Sequence, residues 1–138
     1  MNPAERGTKT DVSALAGVAN ALPALDRAAK LQRRAARTGF DWPNASGPRA
    51  KIDEELQELD AEVDLDRRTE ELGDLLFAVV NLARHLNIDP EEALRKANKK
   101  FEMRFRAIET APDFQALSLD EKEALWIAAK TAQPPPRD

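Results

Sequence analysis

Residues 70–83 read EELGDLLFAVVNLA, and this stretch decides the fold. On a helix of about 3.6 residues per turn, its apolar side chains cover almost the whole circumference. A helix that is apolar nearly all round is normally buried nearly all round. Glu71 and Asp74 nevertheless share one narrow stripe, which continues through Ala78 to Asn81. The stretch therefore predicts a helix that holds two carboxylates inside a helical core.

The composition of the chain favours an all-α domain. It has 138 residues, enough for one domain, and 42% of them are hydrophobic but only 5% aromatic. Alanine and leucine dominate the apolar set, which favours closely packed helices over a sheet. Cysteine is absent, so a disulfide framework and a thiolate metal site are excluded.

Turn and cap residues divide the chain into predicted segments. We expect a mobile N-terminal segment at 1–20, one helical domain at 21–131 and a proline-rich tail at 132–138. The domain is a bundle of four to five helices. The predicted helices run from Pro23 to Gly39, from near Pro48 to about Asp64, from about Arg68 to Leu86, from Asp89-Pro90 through residue 109, and from the capping box Ser118-x-x-Glu121 to before Pro134.

No stretch predicts a membrane span or a signal peptide, so we expect a cytoplasmic protein without a membrane partner. The net charge of −4 is unevenly distributed. Residues 51–74 contain eleven acidic and three basic residues, so the rest of the chain carries +4. An acidic centre argues against a nucleic-acid binder and favours a site that holds cations and, through them, a polyanion.

The second predicted helix carries a matching set of carboxylates. Glu54, Glu55 and Glu58 fall within one arc of about 100°. They border, without joining, an apolar stripe that we expect to be buried: Ile52, Leu56, Leu59 and Val63. Packing this helix against the third would bring its carboxylates opposite Glu71 and Asp74. Carboxylates that converge must either take up protons or surround a cation.

The ligand types restrict the cation. Carboxylate oxygens are hard ligands that select Mg²⁺ or Mn²⁺ over zinc or copper. A di-iron bundle would need Glu-x-x-His pairs, and the single histidine, His85, has a leucine three residues before it. Acidic helix faces are also commonly just solvated, which we expect for Glu62, Asp64 and Asp66, while Glu54 stays open. Gly73 indicates either close approach of another backbone or an ordinary packing position.

The motif Glu54-Glu55-x-x-Glu58 followed by Glu71-x-x-Asp74 resembles the signature of the MazG nucleoside triphosphate pyrophosphohydrolases. The flanking stretches LDRAAKLQRRAARTGFDWP and KIDEELQELDAEV extend the resemblance, which covers about residues 21–130. It implies an all-α homodimer that uses Mg²⁺ to hydrolyse nucleoside triphosphates to monophosphate and pyrophosphate. Its implied metal ligands are Glu55, Glu58, Glu71 and Asp74, and Glu54 would position a second ion or activate water. Mn²⁺ can substitute, and incomplete burial in one copy also favours a dimer or a tetramer.

The same resemblance implies substrate-binding residues on the last two helices. Asn98, Lys100 and Arg104 match phosphate-binding positions, and Trp126 and Lys130 would contact the base or sugar and a phosphate. There are structural alternatives to these roles, in which Lys100 and Arg104 form a solvated basic edge of their helix and Trp126 simply packs at a helix end. Lys30, Arg33 and Arg34 resemble positions near the nucleotide entrance. Trp42 either closes over that entrance or anchors its loop.

Two departures from the family pattern are visible. The long members carry two such domains, whereas this chain has one. The segment DLDRRTE has arginines where a lysine is expected, which leaves open the substrate role of Arg67 or Arg68.

The predicted reaction is in-line attack of water on the α-phosphorus, with Lys100 and Arg104 stabilising the departing pyrophosphate. Two alternatives stay open. One is a relative of narrow substrate range, of the dUTPase or phosphoribosyl-ATP pyrophosphatase type. The other is a catalytically silent helical dimer that binds nucleotide or metal.

Overall fold

The computed structural model describes residues 10–132, and in this range the ordered elements are helical, with no strand. The predicted all-α class is therefore confirmed. Between residues 10 and 132 the α-helices are α1 (Ala24–Ala36), α2 (Ser46–Ala61), α3 (Leu65–His85), α4 (Pro90–Ile108) and α5 (Leu119–Ala132), with a short 3₁₀ helix at Phe114–Ala116. Residues 1–9 and 133–138 lie outside the described range, which therefore excludes nine residues of the predicted N-terminal segment and all but one residue of the predicted tail.

Local signals placed most helix ends correctly. Gly39 has φ +90, the left-handed conformation that favours glycine and stops a helix. The capping box is present: the Ser118 N–H donates to Glu121 Oε1 and the Glu121 N–H donates to Ser118 Oγ, both at 3.1 Å. Helix α3 begins three residues earlier than predicted. The reason is Asp64, whose Oδ2 accepts from the Arg67 N–H and caps the helix.

The described chain divides into two compact units, with the boundary after Glu91. In the first unit α3 is the central helix, because α2 packs along it and α1 packs against it. Ala29, Pro48, Ala78 and Val80 are the buried side chains around which these helices close. This arrangement sets the carboxylates of α2 beside those of α3.

The pattern of burial differs from the prediction. Leu72, Leu76 and Val79 of α3 are about half exposed, and the predicted buried stripe of α2 leaves Leu56 at 46% and Val63 at 91% exposure. Glu55, predicted to border the buried face, is instead only 4% exposed. The reason is that the side of α2 that carries Glu55 joins the carboxylates of α3. The predicted buried stripe is therefore wrong at Leu56 and at Val63, which lies beyond the end of α2, whereas Ile52 and Leu59 are half-buried.

The second unit is held by aromatic contacts between α4, the 3₁₀ helix and α5. The rings of Phe101 and Phe105 are stacked at 5.9 Å, and Trp126 lies 5.4 Å from Phe101. Phe114 meets Phe105 edge-on at 5.8 Å. Between residues 10 and 132, none of the helices is both long enough and apolar enough to cross a bilayer.

Candidate metal centre

Three carboxylates from two helices converge in the first unit. One oxygen each from Glu55 on α2 and from Glu71 and Asp74 on α3 lies within 4.8 Å of the other two. Glu55 is buried, Glu71 is half-buried and Asp74 is exposed, so the cluster has a closed side and a side open to solvent. Glu71 and Asp74 share one face because they are three residues apart on α3.

Two oxygens of this cluster have no hydrogen-bond partner within residues 10–132. Glu55 Oε2 and Glu71 Oε2 are inaccessible to solvent and accept no hydrogen bond from the described residues. A buried acceptor left without a donor costs about 1–3 kcal/mol, and more when it carries charge. Hard, anionic oxygens that converge without donors are the ligand set that Mg²⁺ or Mn²⁺ takes in proteins. The residues present therefore fit a divalent cation.

Glu58 joins the cluster from the next turn of α2. The charge of Glu55 and a hydrogen bond with Glu71, with some desolvation, raise the pKa of Glu58 to about 7. The carboxyl group is therefore partly protonated near neutral pH when no cation is present. Glu58 interacts with Glu55 and Glu71, the two glutamates that converge with Asp74.

Lys51 is a member of the site that the sequence interpretation missed. Its Nζ lies 3.1 Å from Glu55 Oε1 and 3.4 Å from Glu54 Oε2. The hydrogen bond with Glu55 raises the pKa of Lys51. The sequence contained a signal for this contact. Lys51 precedes Glu54 by three residues and Glu55 by four, and residues at these spacings are neighbours on a helix. Lys51 neutralises one edge of the cluster and leaves Glu55 Oε2 for another cation.

Glu54 and Arg67 lie outside the converging group. The Glu54 side chain is 55% exposed and pairs with Lys51. Arg67 is exposed in the first turn of α3, and its backbone N–H donates to Asp64. The catalytic role of Glu54 and the substrate role of Arg67 stay predictions.

The predicted substrate-binding residues of α4 and α5 lie in the second unit. Arg104 is only 6% exposed, and its Nε has no hydrogen-bond partner among the described residues. Lys100 is half-buried, while Asn98 and Lys130 are exposed. Trp126 packs on Phe101, which is the packing role considered as the alternative to substrate binding. The role of Trp126 toward substrate stays a prediction.

A second polar group, which the sequence interpretation also missed, links the α1–α2 loop to the end of α3. Asp41 accepts hydrogen bonds from both terminal nitrogens of Arg84 and contacts His85 Nε2 at 2.9 Å. The hydrogen bond from Arg84, assisted by that with His85, lowers the pKa of Asp41 to about 2. Asn81 Oδ1 accepts from the same arginine. Asp41 is more than forty residues from Arg84 and His85, so no local sequence pattern predicts these two contacts.

The fold and the cluster together define a class, that of all-α proteins with a candidate divalent-metal centre between two packed helices. Residues 48–108, which include every carboxylate of the cluster, match the MazG nucleotide pyrophosphohydrolase domain. This segment of the chain is therefore similar to the MazG domain.

Two curated relatives are similar to this chain over most of its length. The chain is 43% identical over 136 residues to a nucleoside triphosphate pyrophosphohydrolase of Escherichia coli, which covers 91% of this chain and 52% of that protein. It is 44% identical over 117 residues to the nucleoside triphosphate pyrophosphohydrolase/pyrophosphatase MazG of Thermotoga maritima, covering 85% of this chain and 46% of that protein. The chain thus spans about half the length of the curated relatives it matches.

Proposed function

We propose that the protein hydrolyses nucleoside triphosphates to the monophosphate and pyrophosphate in a reaction that requires Mg²⁺. The observation that carries this proposal is the cluster of Glu55, Glu71 and Asp74, which lies within the matched MazG domain. Two buried oxygens of this cluster lack hydrogen-bond partners in the described part of the chain. The names of the relatives support the same class of reaction.

Glu55, Glu58, Glu71 and Asp74 would hold the ion, and Mn²⁺ would be accepted by the same oxygens. When bound, the ion supplies neutralising charge for the phosphoryl oxygens and lowers the pKa of the attacking water. Glu54 is the chain's own candidate for positioning that water or a second ion, because its carboxylate is next to Glu55 in sequence yet open to solvent. The attack is on the α-phosphorus, so that pyrophosphate leaves.

The substrate contacts of the second unit are part of the proposal. Lys100 and Arg104 would stabilise negative charge on the leaving pyrophosphate. Asn98 and Lys130 would bind phosphate oxygens, Trp126 would contact the base or sugar, and Arg67 of α3 is a further candidate. Their support is the resemblance of the sequence. We also propose that the protein forms a homodimer or a tetramer, because apolar residues of α3 are half exposed in the single chain. We further propose a cytoplasmic location.

Hydrolysis in H₂¹⁸O tests the reaction directly. Attack on the α-phosphorus places ¹⁸O in the monophosphate, attack on the β-phosphorus places it in the pyrophosphate, and formation of diphosphate plus phosphate identifies a different reaction. The products are read by mass spectrometry with Mg²⁺, with Mn²⁺ and with EDTA. Absence of hydrolysis with either metal would instead indicate a catalytically silent protein that binds nucleotide or metal. Turnover of a single substrate in a panel of triphosphates would identify an enzyme of narrow range, such as a dUTPase.

A further inference from the structure

Lys51 holds one oxygen of the buried carboxylate of the cluster. It lies one helical turn before Glu55 on α2, and its Nζ is 3.1 Å from Glu55 Oε1. The other oxygen, Glu55 Oε2, is inaccessible to solvent and accepts no hydrogen bond within residues 10–132. The same carboxylate therefore has one oxygen that the protein fixes and one that is left for a ligand.

The surroundings of Lys51 differ from those of Glu55. The Lys51 side chain is 43% exposed, whereas the Glu55 side chain is 6% exposed. The ammonium group therefore reaches from the surface of α2 to the closed side of the cluster. Its Nζ is also 3.4 Å from Glu54 Oε2, so it bridges two neighbouring glutamates. Charge-assisted hydrogen bonds of this kind restrain the direction of the carboxylates that accept them.

A cation beside a metal site has two opposite effects on metal binding. Its charge repels a divalent ion, but water and salt screen the charge of a group as exposed as Lys51, which makes this effect weak. Its hydrogen bond holds a ligand in place, and loss of such an outer contact typically costs about 10–100-fold in metal affinity or activity. Because the ligand held here is the buried member of the cluster, we expect the second effect to be the larger one.

We propose that Lys51 is a positioning residue of the metal centre, which holds Glu55 Oε1 so that Glu55 Oε2 is kept for the divalent ion. The presence of that ion rests on the proposed function. Lys51 acts through Glu55 and not on the substrate. Its loss therefore weakens metal binding but leaves the reaction intact once the site is filled.

Binding of Mn²⁺ alone, without nucleotide, tests this role. Free Mn²⁺ is followed by electron paramagnetic resonance, and the folding of each variant by circular dichroism. The dissociation constant should rise about 10–100-fold in Lys51→Met, which has a long side chain but no ammonium group. Lys51→Gln also removes the charge and provides the same test if the methionine variant does not fold. Lys51→Arg retains a cationic donor and should bind Mn²⁺ nearly as well as the wild type.

The matched control is Arg49→Met, which removes an equal charge from an exposed position of α2 and should leave the dissociation constant unchanged. Tighter Mn²⁺ binding by Lys51→Met would overturn the proposal, because Lys51 would then act through its charge alone. An unchanged dissociation constant would overturn it as well, and a lower Tm of that variant in EDTA would then identify a contact that only stabilises α2. A loss of affinity in Lys51→Arg as large as in Lys51→Met would also contradict the role of the donor.

The metal dependence of hydrolysis provides a second readout. In Lys51→Met the Mg²⁺ concentration that gives half the maximal rate should rise about 10–100-fold, whereas kcat at saturating Mg²⁺ should stay near the wild-type value. A loss of kcat that saturating Mg²⁺ does not restore would rule out a purely positioning role, because it indicates a group that contacts the substrate.

The two proposals fail separately. Weaker Mn²⁺ binding by Lys51→Met, in a protein that hydrolyses no triphosphate, would contradict the proposed function and leave the role of Lys51 standing. Mg²⁺-dependent hydrolysis with the same metal affinity in the wild type and in Lys51→Met would contradict the role of Lys51 alone. A wild-type protein that binds no Mn²⁺ would overturn both.

Discussion

Glu55 of α2 and Glu71 of α3 each bury one carboxylate oxygen that has no hydrogen-bond donor among the described residues, and the two side chains meet in the same cluster. Folding without a cation therefore brings negative groups together and leaves these two oxygens out of reach of water. We infer that part of the stability of the first unit depends on what neutralises this cluster, whether protons, Lys51 or a divalent ion.

The first prediction concerns the pH dependence of the metal-free protein. The pKa of Glu58 is raised from 4.5 to about 7 by Glu55 and Glu71, so the folded state binds a proton more tightly than the unfolded state does. The resulting contribution to stability is complete below pH 4.5 and is lost as the pH rises through 7. In EDTA we expect Glu58 to lower the Tm progressively between about pH 5 and pH 8.

Mg²⁺ should oppose this loss at pH 8, because it neutralises the cluster when Glu58 is ionised. Thermal unfolding followed by circular dichroism, with Mg²⁺ and with EDTA, measures both effects. Glu58→Gln is the control and should flatten the pH dependence in EDTA. Equal slopes for the wild type and this variant would contradict the prediction.

The second prediction separates catalysis from folding at Asp74. Asp74→Asn keeps the shape of the side chain but removes one negative ligand, so Mg²⁺-dependent hydrolysis should fall at least about 100-fold. Helix content should be unchanged, and the metal-free protein should be as stable as the wild type or more so, because repulsion within the cluster is relieved. Pyrophosphate release and circular dichroism on the same samples provide the two readouts.

Asp60→Asn removes an equal charge from an exposed position of α2 and should retain full activity. If Asp74→Asn hydrolyses triphosphates at the wild-type rate with Mg²⁺, the assignment of Asp74 as a metal ligand is wrong.

The third prediction concerns the link between Asp41 and Arg84. Asp41→Ala leaves the half-buried guanidinium without its carboxylate, and we expect a loss of about 1–2 kcal/mol in the free energy of unfolding at pH 7. The pKa of Asp41 is lowered from 3.8 to about 2, so its contribution is present above pH 3.8 and lost as the pH falls through 2. Urea unfolding at pH 7 measures the loss.

A double-mutant cycle with Arg84→Ala isolates the pair from other effects of each substitution. The loss from Asp41→Ala should shrink in the Arg84→Ala background. Strictly additive losses would show that the two residues do not stabilise each other.

The features that the sequence predicted correctly are local ones. The capping box at Ser118, the stop at Gly39 and the three-residue spacing of Glu71 and Asp74 depend only on neighbours along one helix. The α2–α3 pairing was also predictable, because carboxylates on two consecutive helices can surround one cation. The substrate roles assigned to α4 and α5 stay predictions.

The features it missed depend on distant contacts. Gln32 bonds a carbonyl 45 residues away, and Asp41 pairs with Arg84 43 residues away. The spacing of these residues in the sequence predicts neither contact. The half-exposed leucines of α3 are a further example. Hydrophobic periodicity indicates which residues are buried in the native protein, but it does not indicate whether the same chain or another chain buries them.

The fourth prediction compares two glycines on the paired helices. A Cβ at Gly47, in the first turn of α2, would overlap the ring of Trp42, whereas a Cβ at Gly73, within α3, would meet nothing within 4 Å in the described chain. Gly47→Ala should therefore cost about 1–3 kcal/mol of unfolding free energy, because a rigid indole must move. Gly73→Ala should add up to about 1 kcal/mol, since alanine favours the helix interior.

Urea unfolding at one fixed chain concentration, with sedimentation velocity on the same samples, checks both glycine variants. Thr69→Ala in α3 is the control, because it also introduces alanine on this helix but at an exposed position. A Gly73→Ala protein that is less stable than the wild type and sediments as a smaller species would contradict the prediction that a Cβ fits at Gly73. Such a result would instead identify the close backbone approach that the sequence left open, made by a second chain.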